Sequence, residues 1–337
     1  MDNFFENKNL YFIAEIGGNH QGSYEKAIEI CELAISSGAD CIKFQLYKAD
    51  SLVNPIISKE RHTHFQKFEL TKEQHISLAK MCIDSGVDYA ASIWDLEMLE
   101  WIDPYTKFYK IGSGDLTSIN FLKEFAKRGK PIVLSTGLSD IKEVHKIVNY
   151  IRSFNPLYEE KGMIILMQCT SMYPIKDSDA NLSVISEFGK IENIIPGYSD
   201  HTIGENALIN SISWGARVIE FHFTDNKKNK SFRDHQVSLE LNEVIELKKK
   251  CLQAQEMIGN PNKIPLEIEL SNNHVKTFRR GIYPRISLEK GKIITEKDLI
   301  CLRPCEGISA IHYDQILGKE LLVSVDKFQV LEWGMFK

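Results

Sequence analysis

In the run VIEFHFT, residues 218–224, a carboxylate and an imidazole stand two positions apart as Glu220 and His222. Extended backbone sends side chains of that spacing to one face and Ile219, Phe221 and Phe223 to the other. The run GYSDHT, residues 197–202, repeats the arrangement with Ser199 and His201. Two imidazoles brought together with carboxylates beside them form a donor set for a divalent metal. A lone histidine on a strand more often serves as a hydrogen-bonded structural residue. Spacing alone therefore leaves both readings of His201 and His222 open.

Lysines and small hydroxyls recur in comparable places. Lys43 and Gln45 stand two apart in CIKFQ, Lys110 leads into Gly112 and Ser113 in YKIGSG, and Ser92 lies near the end of YAASIW. Ser135, Thr136 and Gly137 close PIVLSTG, Thr170, Ser171 and Tyr173 follow MIILMQC, and Glu15 precedes GGNHQG. Fixed cations, hydroxyl donors and glycine-exposed backbone N–H groups are what a phosphate needs. Ser, Thr and Gly also suit loops in general. That accounts for any one of these segment ends, but poorly for five together, and not for two lysines in runs apolar enough to be buried.

These residues sit at the ends of short β-rich runs at 11–17, 41–45, 89–94, 108–113, 131–137, 163–169, 194–200 and 218–224. Helix-period stretches separate most of them. Those at 23–38 and 71–86 open on Ser or Thr with Glu close behind and close on Gly, as helix caps prefer. Eight strands alternating with helices over about 250 residues predict an α/β fold, a (β/α)8 TIM barrel. A doubly wound open sheet is the alternative, because periodicity does not reveal closure. No GxGxxG follows the first strand, which argues against a dinucleotide site. In a barrel, inward residues near the C-terminal strand ends surround one site, which would gather all the groups above.

The rhythm stops near residue 260. The expected organisation is a catalytic barrel over 1–260, a linker over 261–277, and a small β-rich domain over 278–337, where short strands alternate with turn signals. At 43% hydrophobic and 26% charged, the chain reads as soluble and globular. A net charge of −5 argues against a broad nucleic-acid or anionic-membrane surface. Seven scattered cysteines contain no CxxC, and the CxxxC of Cys301 and Cys305 has no second pair. Reduced, mostly buried thiols are expected. No apolar run approaches the ~18 residues of a membrane span. The opening MDNFFENKNL lacks the shape of a signal peptide, so the expected location is the cytoplasm.

The motifs IAEIGGNHQG, GADCIKFQ, YKIGSGD, PIVLSTG, QCTSMYP, GYSDHTIG and ARVIEFHFT, with RDHQVSLE, FRRGIYPR and RPCEGI, occur in order along nearly the whole chain. Together they resemble the sialic acid synthase family, the bacterial nonulosonic acid synthases. The resemblance implies a (β/α)8 barrel followed by an antifreeze-like SAF domain, in a domain-swapped homodimer. It implies condensation of phosphoenolpyruvate with the open-chain aldehyde of N-acetylmannosamine or a related acetamido hexose, giving a nine-carbon 2-keto sugar acid and phosphate. A divalent metal, Mn²⁺ or Mg²⁺, would assist. By motif, His201 and His222 match the metal ligands, and Glu220 the residue holding a metal-bound water. Lys110, Ser92, Ser113, Ser135 and Ser199 match the phosphoenolpyruvate pocket, with Lys43 beside them. Glu15, Gln45, Tyr173 and Asp234 match the sugar contacts and acid/base groups, and Ser171 stands where several sialic acid synthases have Asn. Arg303 matches the arginine that reaches the partner subunit's site.

The chain departs from the family at Phe221, commonly Lys, and at FRDH (232–235), commonly GPDH. Residue 221 should face away from the site, whereas the segment before Asp234 borders the sugar pocket. The departure there leaves the acceptor open among N-acetylmannosamine, a 2,4-diacetamido hexose and a less usual sugar. Two rivals compete with this reading. A metal-dependent aldolase or epimerase would leave the phosphate rim and the tail without a role. A non-catalytic homologue would be expected to lose Glu15, Lys110 or a histidine, and all are present.

Overall fold

The eight strands expected from the sequence form and close on themselves. The computed structural model describes residues 4–5 and 9–337; residues 1–3 and 6–8, part of the opening stretch read above for a leader, lie outside the described residues. The strands are β1 (Tyr11–Glu15), β2 (Cys41–Leu46), β3 (Asp88–Ile93), β4 (Tyr109–Ile111), β5 (Ile132–Ser135), β6 (Ile164–Gln168), β7 (Ile194–Ser199) and β8 (Val218–His222). They follow chain order around a closed parallel barrel. The closing pair β1–β8 sets Glu15 opposite His222 and Tyr11 opposite Val218. This removes the open-sheet alternative.

Period-two alternation divides each strand between two environments. One set of residues packs into an inner cluster that includes Tyr11, Ile13, Cys41, Ala90, Ile165 and Val218. Two residues further along the same strands come Glu15, Lys43, Ser92 and Glu220, so the lower interior is apolar and the upper interior polar. The other set, with Phe12, Phe44, Ile219, Phe221 and Phe223, joins the larger core shared with the helices. Phe221 thus faces away from the site, as expected. Full burial of such a side chain is worth about 1.5–3 kcal/mol.

The helix caps read from the sequence are present. Helix α1 (Tyr24–Ser36) begins where the Ser23 side chain accepts from Lys26 N and buries Ala27, Ile30, Cys31 and Ala34. A second helix, α2 (Lys59–Phe68), has no buried residue and lies in a stretch with no helix expectation. Helix α3 (Lys72–Asp84) opens on a capping box between Thr71 and Gln74 and buries His75, Leu78, Ala79 and Cys82. Gly38 and Gly86 follow α1 and α3 at φ +79° and +75°, a left-handed conformation that glycine adopts without a Cβ penalty.

The chain divides into two compact units at Gly259 and Asn260. The second has its own core, including Ile282, Leu288, Leu299, Ile316 and Leu321. Its antiparallel strands β9 (Gly281–Pro284) and β10 (Leu299–Leu302) pair Gly281 with Leu302. Short helices at Glu267–Ser271 and His274–Thr277 occupy the stretch read as a linker. All seven cysteines are free, five of them buried. Among the described residues, no helix is long and apolar enough to cross a membrane.

Candidate active site

A cavity of about 1010 Å³ lies at the C-terminal ends of the barrel strands. At one end stand two ammonium groups, Lys43 and Lys110, only 3% and 4% exposed. Burying an ion costs several kcal/mol, on the order of the whole stability of a domain, unless it is paired. Here the pairing comes from Glu220. Its Oε1 lies 3.3 Å from Lys43 Nζ and its Oε2 3.2 Å from Lys110 Nζ. Glu15 forms a further ion pair with Lys43. Lys43 donates to Ser92 Oγ at 3.1 Å, and Lys110 donates to Ser135 Oγ at 2.7 Å.

Two members of this group, Glu220 and Lys43, are held ionised by their neighbours. Burial pushes the Glu220 carboxyl up, but Lys110 and Lys43 outweigh it and leave the group at about 2. Burial likewise works against the Lys43 ammonium, and Glu15 and Glu220 raise it above its ordinary value. Glu220 therefore stands between the two lysines rather than free beside the imidazoles.

Beside the lysines, Gly137 lets hydroxyls converge. Its N–H donates to Ser113 Oγ at 3.0 Å. A Cβ at Gly137 would come within 2.4 Å of Ser171 Oγ and 2.8 Å of Ser113 Oγ. Any larger residue would push these hydroxyls apart. Ser199 and the Cys169 thiol also line this end, and burial pushes the thiol up to about 11.

The two histidines meet next to this group, with ring centroids 5.4 Å apart. His201 Nδ1 lies 2.7 Å from Thr170 O. A carbonyl only accepts, so Nδ1 carries the proton and Nε2 keeps its lone pair. Burial, reinforced by His222, holds His201 down at about 3, so the ring is neutral at physiological pH. His222 Nδ1 is buried without a hydrogen-bond partner. Two imidazoles, one oriented by a carbonyl and one with an orphaned nitrogen, fit a divalent metal. Among the described residues, no group of three or more His, Cys, Asp or Glu side chains is placed to hold one. The protein's share of such a site is the two nitrogens.

Tyr173 packs over both rings, 3.9 Å from His201 and edge-on to His222 at 5.5 Å. Between the polar end and the cavity mouth, Gln45 Nε2 donates to Glu15 Oε1 at 3.1 Å. Asp234 is 5% exposed, and its Oδ2 and Glu15 Oε1 approach the Cβ position of Gly17 at 3.2 and 3.3 Å.

Of the fifteen residues matched by motif to ligand, substrate or acid/base roles, fourteen line this cavity, all but Arg303. Arg303 belongs to the second unit, where its guanidinium lies over the Phe278 ring at 5.8 Å. Sequence reasoning placed the segment carrying Phe232 beside the sugar pocket but missed the rest of the aromatic lining: Tyr47, Phe65, Phe68 and Trp94. A signal existed in KERHTHFQKF, where Phe65 and Phe68 interrupt an otherwise polar helix three residues apart.

Residues 30–263 match the NeuB family, and residues 279–337 match the SAF domain. The chain is 32% identical over 338 residues to N,N'-diacetyllegionaminic acid synthase of Legionella pneumophila, covering 96% of this chain and 93% of that one. It is 30% identical over 332 residues to N-acetylneuraminate-9-phosphate synthase of Homo sapiens, covering 94% and 90%. Among solved structures it is similar to N-acetylneuraminic acid (sialic acid) synthetase from Leptospira borgpetersenii. That match has a TM-score of 0.73 at 26% identity, over 80% of this chain and 91% of the other.

Proposed function

The chain belongs to the NeuB family of phosphoenolpyruvate-condensing nonulosonic acid synthases, and from that premise we propose that it joins phosphoenolpyruvate to the open-chain aldehyde of an acetamido hexose. The products are a nine-carbon 2-keto sugar acid and phosphate. The observation that carries this reading is the buried pair Lys43 and Lys110, ringed by hydroxyls at one end of a cavity whose remaining walls suit a larger, neutral partner.

Lys110, Ser113, Ser135 and Ser199, with Lys43 and Ser92, bind the anionic groups of phosphoenolpyruvate. Those anions compete with Glu220 for the lysines, so each ammonium exchanges one anionic partner for another instead of losing one. Gln45, Tyr173 and Asp234 orient the sugar so that its aldehyde carbon meets the enol carbon, and Ser171 stands with Ser113 beside Gly137. Glu15, already hydrogen-bonded to Gln45, is positioned to relay protons between the new hydroxyl and the attacking water. The carbon–carbon bond forms, water adds at the former enol C2, and phosphate departs with the bridging oxygen. His201 and His222 would hold the metal, Mn²⁺ or Mg²⁺, which when bound supplies Lewis-acid polarisation of the aldehyde carbonyl. Imidazole donors favour Mn²⁺ of the two.

The family resemblance also supports a swapped dimer, in which Arg303 of one copy serves the sugar site of the other. Subunit exchange between inactive His222→Ala and Arg303→Ala proteins should then restore some activity. A mixture that stays inactive while exchange is demonstrated rejects the swap. The principal test offers purified protein phosphoenolpyruvate, Mn²⁺ and a panel of acetamido hexoses, reading phosphate release and product mass. Release coupled to a product heavier by the three-carbon unit supports the reading; no release with any acceptor overturns it.

A further inference from the structure

The GGNHQG loop (17–22) that follows Glu15 carries a buried side chain with no part in the reaction proposed above, Asn19, which is 1% exposed. Its Nδ2 donates to the carbonyl of Phe223, the residue after His222, at 2.8 Å, and to Ser238 Oγ at 2.9 Å. Ser238 is buried too, and its hydroxyl donates to Asp234 O at 2.6 Å. A hydroxyl has a single proton, so the direction is fixed: Asn19 gives to Ser238, and Ser238 gives to Asp234. The loop after Glu15 thus grips the short helical turn that bears Asp234, Arg233–Val237.

A second arm runs beside the first. Thr224 Oγ1 lies 2.9 Å from Asp225 Oδ1, which only accepts, so the hydroxyl proton is engaged there. Thr224 then accepts from His235 Nδ1 at 2.7 Å, and His235 Nε2 keeps its lone pair for Gln21 Nε2 at 3.0 Å. His235 and Ser238, which follow Asp234, are therefore tied to one loop.

Asp234 needs such a hold because its carboxylate has little of its own. Oδ1 is buried without a hydrogen-bond partner, and Arg233 Nε stands 3.4 Å from it. Oδ2 and Glu15 Oε1 face the same point, the Cβ position of Gly17, and two carboxylates so placed repel. The strand end beside them is secured independently of Asn19. Phe223 N donates to Glu15 O at 2.8 Å, and Leu239 N donates to His222 O at 2.7 Å.

We propose that Asn19, acting through Ser238, is a positioning residue that sets the Asp234 carboxylate against Glu15 on the acceptor side of the cavity. Neither Asn19 nor Ser238 lines the cavity, so both act through Asp234. The inference rests on the acceptor role proposed above for Asp234.

The test uses the full-length protein with Mn²⁺. Ser238→Ala removes only the linking hydroxyl, and Asn19→Asp keeps the shape of the side chain without its donor. Each should lower acceptor kcat/KM roughly ten- to a hundredfold, the cost of a displacement of about 1 Å at a reacting group. The phosphoenolpyruvate KM and the Mn²⁺ affinity should stay within about twofold. In an Asp234→Ala background, the same substitutions should cost less than about twofold. A residue that merely supported the fold would lower activity by the same factor in both backgrounds. That result overturns the inference, as does wild-type acceptor kcat/KM in Ser238→Ala.

Hydrogen exchange followed by mass spectrometry supplies a readout that needs no turnover. Ser238→Ala should speed exchange roughly tenfold across residues 233–239 and leave residues 218–222 unchanged. Unchanged exchange across 233–239 overturns the inference whether or not any acceptor reacts. Faster exchange confined to that turn, in a protein that condenses no acceptor, supports the hold and counts against the proposed reaction alone.

Discussion

Lys43 and Lys110 are buried on strands, with every charge answered by a carboxylate or a hydroxyl, whereas Phe65, Phe68 and Phe232 stand half-exposed on a peripheral helix and a loop. The two groups line one cavity. At the lysine end, a changed side chain leaves a buried ion or lone pair unanswered, and the cost of that is large. At the aromatic end, a change alters shape and apolar area at a surface, which the fold tolerates. The first kind of wall suits the reactant common to a family, and the second suits the reactant that varies.

Substitutions at the two ends should separate accordingly. The largest effect is expected at the histidines. His222→Ala should take turnover below detection and weaken Mn²⁺ binding measured by calorimetry, with the circular dichroism of the fold retained. Full activity of that variant in metal-buffered solution would remove His222 from the metal site. A chelator should likewise silence the wild type, with Mn²⁺ restoring it.

Next comes Lys110→Met. Loss of one charged hydrogen bond, about 1.5–3 kcal/mol, should raise the apparent KM for phosphoenolpyruvate roughly ten- to a hundredfold and leave the acceptor KM nearly unchanged. A defect confined to the sugar would exchange the roles of the two ends. The same variant strands part of the Glu220 charge, so its melting temperature should fall, and adding Glu220→Gln should recover much of the loss.

A smaller and opposite pattern is expected for Gly18→Ala, because the new methyl displaces the Phe232 and Phe68 rings. Acceptor KM should rise several-fold, about 1 kcal/mol in transition-state terms, with the phosphoenolpyruvate KM unmoved. A change in the phosphoenolpyruvate KM alone would show that the two ends are not separable.

A last effect, outside the contrast between the two ends, belongs to acid stability. Burial holds His20 at about 4 and His75 and His201 at about 3. Their folded values lie below the unfolded 6.5, so the unfolded chain binds more protons as pH drops, and stability should decline from about pH 6.5 toward 3. His75→Leu should flatten that slope in denaturant titrations. An unchanged slope would show that His75 is protonated in the folded state.

Much of this arrangement was legible in the sequence, and unevenly so. The strand faces were readable because period-two alternation places Glu15, Lys43, Ser135, Ser199 and Glu220 on the same side as apolar neighbours that must be buried. The outward course of Phe221 followed from the same rule. Glu220's engagement by both lysines was not readable, since it depends on which strands adjoin across the barrel. The aromatic wall was missed because α2 carries no apolar stripe; its rings face a cavity rather than a core. The Gly18 contact was equally hidden, because it joins segments more than two hundred residues apart.

The central claim, condensation by carbon–oxygen cleavage at a lysine-bound phosphoenolpyruvate, is tested most directly by isotope tracing. Phosphoenolpyruvate labelled with heavy oxygen at the bridging position is turned over with an acetamido hexose and Mn²⁺, and both products are read by mass spectrometry. The label is predicted in the released phosphate, with none in the sugar acid. Label retained in the sugar acid, or phosphate released without a new carbon–carbon bond, would contradict it.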